Sequence, residues 1–478
     1  MILVFLSSIR ALALLLVFFG ASFLPQPTYI EGVVGQPTGF NPVQPENDID
    51  RTIVKIIYRS LFTYDSNSQI APDLAESWEV SNDGLSYVVR IKANERWQDG
   101  KLITANDVLY TVSSYKKLSG IAVDVLDNRT VRFTLSNKFS PFLDLLTVPL
   151  LPNHKSDSFN PWFPIGSGNY RVVRVNKDRG FISSVILEGN SPSLNITRII
   201  FKFYENDAEL EMAAKLGEIS GFYEKSTNFS YKNFTKYTET VRNRYYALFF
   251  NIRRDSLKAV DTRAYLTAAL DVPSILDSSL GGDYVLATGP LSLNKFSRGD
   301  LSYALVSNLK NLKKPTTLDL VIAKNDTNQA LAEKIKNAWQ KVGVVVNIKS
   351  YDTDYLTNQI LPSRDFDVLL FGQEVSFDAD RYVLWHTTQA DFPGLNLSGI
   401  SNNRVDVALE EGRKTSDPAE RLKHYGIFQK AVMDEIPAIF LYHPIFNYYL
   451  RSNLINVDLK NFSLPEDRFK SLTTWAFD

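Results

Sequence analysis

PDLAESWEVSNDGLSYVVRIKANERWQDGKLITANDV, residues Pro72–Val108, sets several local structural signals in one fixed order. Trp78 and Val80 alternate with polar neighbours, as do Leu85, Tyr87, Val89 and Ile91, and Asn82-Asp83-Gly84 lies between the two runs. Alternation at period two on either side of an Asp-Gly turn predicts a β-hairpin, because successive strand side chains point to opposite faces. Asp99-Gly100 marks a second turn. Thr104-Ala105-Asn106-Asp107 then predicts a helix start of the capping-box kind, where hydroxyl and carboxylate satisfy N–H groups that the first turn leaves open.

The second half of the chain reads as α/β. Leu318 to Ile322 predicts a strand, Asn325-Asp326-Thr327 a helix cap, and Leu331, Ile335, Ala338, Trp339 and Val342 recur at helical spacing before Gly343. Val344 to Ile348 is then a second strand, placed parallel to the first by its crossover, and Phe366 to Phe371 a third. Two helices follow at Arg404 to Arg413 and Asp417 to Glu435, the latter opened by Asp417-Pro418 and ended by Pro437. Ala438 to Tyr442 resumes as a strand.

A chain of 478 residues exceeds what one core usually supports, so two or more lobes are expected. Lys and Arg number 52 against 53 Asp and Glu, which leaves no basic footprint for a nucleic-acid partner. Aromatics reach 12%, enough to serve both cores and ligand-stacking surfaces. The absence of cysteine removes thiol nucleophiles, disulfides, zinc-thiolate sites and any lipidated cysteine. Residues 1–24 are mostly apolar, with Arg10 ahead of the run Ala11 to Leu24. They predict either a cleaved signal peptide or an uncleaved membrane anchor, with the bulk of the chain extracytoplasmic in both cases. The run is short for a span of roughly 20 residues, whereas the small-residue pattern at Gly20, Ala21 and Ser22 makes a poor cleavage site.

No phosphate-cradling GxxxxGK[ST] loop, GxSxG elbow or HExxH pair occurs, and no catalytic residue, metal site or cofactor is assigned. Of the four histidines, His424 reads as solvated and His443, next to Pro444, as a hydrogen-bonding group near a hinge. A surface hydrolase and a structural surface protein stand as readings from other classes. Neither has a nameable activated group behind it.

The ordered signals of Pro72–Val108 resemble the signature of extracellular solute-binding proteins of family 5, the peptide receptors of ABC importers. Asn41-Pro42 with Ile57-Tyr58-Arg59-Ser60-Leu61, Pro164 to Tyr170, Leu248 to Asn251, Gly372 to His386 and Asp434 to Tyr442 extend the resemblance over nearly everything after residue 30. It implies an α/β, two-lobe clamp of the periplasmic-binding-protein type II kind with an additional small domain. The boundaries expected are 29–49, 163–253 and 441–478 for a discontinuous first lobe, 50–162 for the inserted domain and 254–440 for the second lobe. Strand crossings near Phe250 to Arg253 and Phe440 to His443 would form the hinge. The function implied is capture of an extracellular solute for a membrane permease. A peptide is the first reading, an oligosaccharide the second, and a nickel chelate or other small solute the third.

In peptide-binding members the segment matching Phe371 to His386 commonly carries a tryptophan after the glycine, an aspartate for the ligand's amino group, and Asp-Pro. Here Gln373 takes the tryptophan's place, Ser376 falls near the aspartate's, and Asp378-Ala379-Asp380 replaces Asp-Pro. A buried ammonium needs a charged or multiply hydrogen-bonded partner. Either Glu374, Asp378 or Asp380 substitutes, or the ligand is not a standard short peptide. Tyr382 and Trp385 offer a stacking wall or pack beneath the loop, and Asp380 binds ligand or holds the loop. Tyr245 and Asn251 complete the candidates, Tyr246 lying on the opposite face of its strand from Tyr245. Gly166-Ser167-Gly168 is expected to shape a tight turn.

Overall fold

The computed structural model describes residues 26–478 apart from 66, 225–230, 298, 300, 301, 304–314 and 461. The signal or anchor expected at 1–24 lies outside the described residues. Among those described, no helix is long and apolar enough to cross a membrane.

Alternating apolar residues build one hydrogen-bonded path of strands through both halves of the molecule. Its order is Val345–Tyr351, Thr317–Ala323, Val368–Glu374, Arg244–Phe250, Ala438–Arg451, Gly221–Glu224, Thr28–Val34, Arg198–Tyr204, Phe181–Gly189 and Tyr170–Asp178. The strand expected over Ala438 to Tyr442 continues to Arg451, and that extension joins the halves. Its start pairs antiparallel with Arg244–Phe250, its middle with Tyr284–Leu286, and its end with both Phe234–Thr240 and Gly221–Glu224. Pro444, which lacks an N–H, stands where the long strand leaves one half for the other.

Each half carries apolar packing on both sheet faces. In the half that contains Thr317–Ala323 and Val368–Glu374, to which the strand Arg244–Phe250 is paired although 163–253 was expected in the first lobe, Tyr245, Ala247 and Phe249 enter one core while Leu248 and Phe250 enter the other, as period two requires. The predicted β-α-β unit is present: Thr317–Ala323 and Val345–Tyr351 are parallel, joined by the helix Asp326–Lys341. Asn325 caps that helix by accepting from the Asn328 N–H, and Leu331, Ile335 and Trp339 form its buried stripe. In the first lobe Tyr29, Ile199, Phe201 and Tyr448 share a core with Ile53, Val54 and Ile57 of the helix Asp48–Ile57.

The deciding stretch forms the hairpin Ala75–Val80 and Ser86–Ile91, then a helix over Ala105–Ser114 with the Thr104/Asp107 capping box. The first hairpin strand is an edge, in the order Ala75–Val80, Ser86–Ile91, Thr130–Thr134, Ala122–Asp127. Trp78 and Val80 are therefore 37% and 46% exposed, whereas Tyr87, Val89 and Ile91 are buried in a separate core running from Leu61 to Leu151.

Gly166 and Gly168 answer a close approach. A Cβ at either would fall 2.2 or 2.3 Å from a carbonyl oxygen at the end of the helix Asp48–Ile57. Gly168 N–H donates to Ile57 O at 2.6 Å, and the Gln98 amide ties Gly168 O and Tyr170 O to the same place at 3.1 and 2.8 Å. The expected tight turn is thus a neck, where only hydrogen-sized side chains fit.

The hinge expectation needs one correction. The long strand passes between the halves at His443-Pro444, beside the expected Phe440 to His443, but the other connection runs through 241–243. Phe250 to Arg253 lies at the far end of Arg244–Phe250, where Asn251 N–H donates to Asp367 O at 2.9 Å. A strand's amino-acid pattern shows which faces are buried but not which of its ends meets a neighbouring lobe.

A fully buried charge pair anchors the first lobe. Arg468 donates to Glu31 Oε1 at 2.9 Å, and Tyr29 and Tyr448 donate to Oε2 at 2.5 and 2.8 Å. Replacing Arg468 with methionine leaves a buried carboxylate without its counter-charge, a loss of ~3–5 kcal/mol. Thermal and urea unfolding of Arg468→Met are expected to show a correspondingly lower midpoint for the transition that includes the first lobe.

Candidate functional site

The strand Val368–Glu374 delivers Gln373 and Glu374 to the boundary between the lobes with opposite orientations. In register, Gln373 faces Tyr245 and Glu374 faces Arg244. The Tyr245 hydroxyl donates to Gln373 Oε1 at 2.6 Å, and both side chains are buried. Burial raises the Tyr245 phenol far above its ordinary range. Trp385 is also buried, against Phe249 and Phe440. Tyr245, Gln373 and Trp385 thus form a packed layer beneath the boundary.

Glu374 belongs to an ionic cluster that spans the lobes. Its Oε1 lies 2.6 Å from Arg244 and 3.1 Å from Arg51, and Arg244 reaches Asp48 at 2.9 Å. Asp48 and Arg51, three apart on the helix Asp48–Ile57, also pair with each other. Arg244 holds the Asp48 carboxyl below its usual range against the opposing effect of burial. Beside this cluster the Glu466 carboxyl is raised to about 7 by burial and by Asp467, and its Oε2 has no hydrogen-bond partner among the described residues.

The loop after Glu374 holds its own acids. Asp378 makes a bidentate pair with Arg421 at 2.6 and 2.8 Å and accepts the Asp380 N–H at 2.8 Å. Asp380 pairs with Arg413 at 2.8 Å and accepts the Tyr382 N–H at 3.1 Å. Ser376 is exposed and donates to Asp378 O at 3.1 Å. Tyr382 stacks on His386 with centroids 4.0 Å apart, and the Arg413 guanidinium lies 4.2 Å from the Tyr382 ring centroid. Asn251 is placed apart from all of these, its amide donating to Arg364 O and Phe366 O at 3.0 and 3.1 Å.

The tip of this loop sits on the inserted domain. Phe377 packs on Tyr64 with centroids 4.1 Å apart, Tyr64 donates to Asp144 at 2.5 Å, and Ser140 N–H donates to Arg413 O at 2.7 Å. Burial and the nearby Asp378 raise the Asp144 carboxyl to about 6. Next to this contact is a cavity of about 410 Å³ whose walls come from both bodies, Tyr382 among them. A second, of about 390 Å³, opens at the carboxyl ends of the parallel strands, between Lys324 and Tyr355.

Sequence reasoning missed Asp48, Arg51, Arg244, Arg413, Arg421, Tyr64 and Asp144. Only the Asp48/Arg51 spacing was a local signal, and it is common on helix surfaces. His443 does lie at the crossing: its Nδ1–H donates to Arg244 O at 3.0 Å, and burial lowers the imidazole to about 4.

Two lobes joined by a shared strand, with charged and aromatic groups facing across the gap, define a clamp for solutes. Residues 69–392 match the family described as bacterial extracellular solute-binding proteins, family 5 Middle, and the chain belongs to that family. It is a solute-binding receptor of the type II periplasmic-binding-protein fold. The oligopeptide-binding protein AppA of Bacillus subtilis is 25% identical, over 89% of this chain and 88% of that protein. The structure of AppA from Bacillus subtilis in complex with a nonapeptide superposes with a TM-score of 0.79, at 23% identity over 95% of this chain and all of that one (100%). NikZ from Campylobacter jejuni, in complex with Ni(L-His), superposes at 0.77 with 23% identity and coverage of 95% and 100%.

Glu466 supplies a pH test of the ionic cluster. Its folded-state pKa lies above the carboxylate's ordinary 4.5, so stability falls as pH rises from about 4.5 through about 7. The loss is on the order of 3 kcal/mol and is complete above that window. Glu466→Gln is expected to unfold at a higher temperature than the parent at pH 8 and to converge with it below pH 4.5, read by circular dichroism melts across that range.

Proposed function

We propose that this chain is the peptide-capturing receptor of an ABC importer, closing its lobes on an extended peptide and presenting the closed form to a membrane permease. One observation carries the reading. A single strand, Ala438–Arg451, serves both lobes, while only it and the link through 241–243 cross at the site described, so rotation there requires few dihedral changes. Pairs such as Glu374 with Arg51 and Arg244 with Asp48 lie across the rotating parts and favour the closed form. Family membership supports the receptor role, and AppA, seen with a nonapeptide, supports peptide as the ligand class. The fold performs capture, and chemistry on the ligand is left to other proteins.

A second reading, a solute without an ammonium group such as an oligosaccharide, is favoured by the loop acids. Asp378 and Asp380 are each held by an arginine and by a backbone N–H, which leaves them little capacity for a ligand's amino group.

Mass spectrometry of ligand released from the purified protein decides between the two. Under the peptide reading, adding the recovered peptide is expected to reduce the radius of gyration in solution scattering; an unchanged radius at saturation rejects closure. Glu374→Gln weakens one exposed interlobe pair and is expected to raise the ligand Kd by about 2–5-fold, consistent with a partly exposed pair worth under about 1 kcal/mol. Calorimetric titration reads that shift.

A further inference from the structure

Asparagine two places ahead of serine or threonine, with no proline between, is the triplet that an oligosaccharyl transferase reads in a chain outside the cytoplasm. Seven occur here, beginning at Asn128, Asn195, Asn228, Asn233, Asn325, Asn396 and Asn461. Asn228 and Asn461 lie outside the described residues. A glycan is bulky and hydrophilic, so only an asparagine whose amide nitrogen faces water can carry one in the folded protein.

The fold sorts the other five. Asn396 is fully buried, and its amide donates to His386 O at 3.2 Å and to Ile400 O at 2.9 Å, which commits both N–H bonds inside the protein. Asn325 is exposed, but its Oδ1 caps the helix Asp326–Lys341 by accepting the Asn328 N–H at 2.8 Å, and that holds the carboxamide against the helix. Asn128, Asn195 and Asn233 are exposed, and their side-chain amides have no hydrogen-bond partner among the described residues. Each lies in a turn or loop. Asn128-Arg129 is the tip of the hairpin Ala122–Asp127 and Thr130–Thr134. Asn195 precedes the strand Arg198–Tyr204, and Asn233, in the left-handed backbone region with φ 72°, precedes Phe234–Thr240.

All three occupy the end of their element that points away from the gap. The open end of the hairpin, with Gly120, Ile121 and Leu135, lines the seam cavity, the one of about 410 Å³ between the two bodies. The Asn128 tip is ~17 Å farther along the strand Ala122–Asp127. In the first lobe Gly221–Glu224 advances toward the crossing, from Leu450 to Asn447 of the long strand, and Thr28–Val34 and Arg198–Tyr204 run parallel to it. Asn195, ahead of Arg198, is therefore at the outer end. Phe234 pairs with Arg451, and residues 444 to 451 cover ~23 Å of strand, so Asn233 is at that end as well.

We propose that Asn128, Asn195 and Asn233 are N-glycosylation sites, modified outside the cytoplasm from a polyprenyl diphosphate-linked oligosaccharide by a membrane transferase. Asn Nδ2 bonds to the anomeric carbon of the sugar, and the bond from that carbon to the diphosphate oxygen breaks. The lipid diphosphate leaves, and the displaced Nδ2 proton passes to a base of the transferase. Glycans so placed leave the gap between the bodies unobstructed.

The test is mass spectrometry of the full chain purified from its native host. Proteolytic peptides that contain Asn128, Asn195 and Asn233 are expected to carry a saccharide mass increment and to release sugar fragment ions, and the peptide that contains Asn396 to be unmodified. Thr130→Ala, Thr197→Ala and Thr235→Ala, produced in that host, are each expected to lose one increment from the intact mass. Thr130→Ser, Thr197→Ser and Thr235→Ser keep it because the hydroxyl remains, which separates recognition of the triplet from any effect on structure. Circular dichroism melts verify that the variants fold. Unmodified peptides at two or more of the three positions, a glycan on Asn396, or alanine variants that retain the increment overturn the proposal.

Discussion

The continuity of one strand governs this molecule. Ala438–Arg451 donates and accepts backbone hydrogen bonds in both halves of the sheet, so neither half is completed without it. Backbone polar groups that leave water must be paired, and this strand pairs groups of Arg244–Phe250 at one end and of Gly221–Glu224 and Phe234–Thr240 at the other. The lobes are therefore covalently and electrostatically registered to one another at a narrow waist. Pro444 removes one ladder donor at that waist, and His443 supplies a side-chain bond to Arg244 O in its place. A connection of this kind is strong along the strand and compliant about it, which is what opening and closing require.

Away from the waist, the facing surfaces are organised by arginines. Arg244 and Arg51 gather Asp48 and Glu374 near the crossing, and Arg413 and Arg421 gather Asp380 and Asp378 farther out. The guanidinium suits this role because its planar fork engages a carboxylate through two parallel bonds while its face packs on rings, as Arg413 does between Phe139 and Tyr382. The loop after Glu374 is thereby rigid and nearly neutral. Its aromatic tip, Phe377, rests on Tyr64, which ties the loop to the body built around the core from Leu61 to Leu151.

The candidate residues divide along the same lines. Gln373, Tyr245 and Trp385 pack beneath the boundary, Asp378 and Asp380 hold the loop, Asn251 closes a distant turn, Glu374 pairs with Arg244 and Arg51, and Tyr382 lines the seam cavity. A residue's place in a motif says that it matters locally. Its exposure to a ligand depends on partners that the motif does not contain.

Local order was legible in the chain itself. The hairpin at Pro72–Val108, the capping box at Thr104, the β-α-β unit around Asp326–Lys341 and the capped helix after Asp417 all follow from interactions among residues close in sequence, which is why alternation, turns and caps disclosed them. Length implied more than one lobe, and the absence of cysteine and of nucleotide-binding or nucleophile motifs narrowed the chemistry. The tertiary structure alone decided how far the strand after Ala438 runs, that the crossing lies at 241–243, and that the loop acids are already paired by Arg413 and Arg421. Those outcomes rest on contacts between residues remote in the chain, and an ion pair or a shared strand edge leaves no periodic trace in the sequence of either partner.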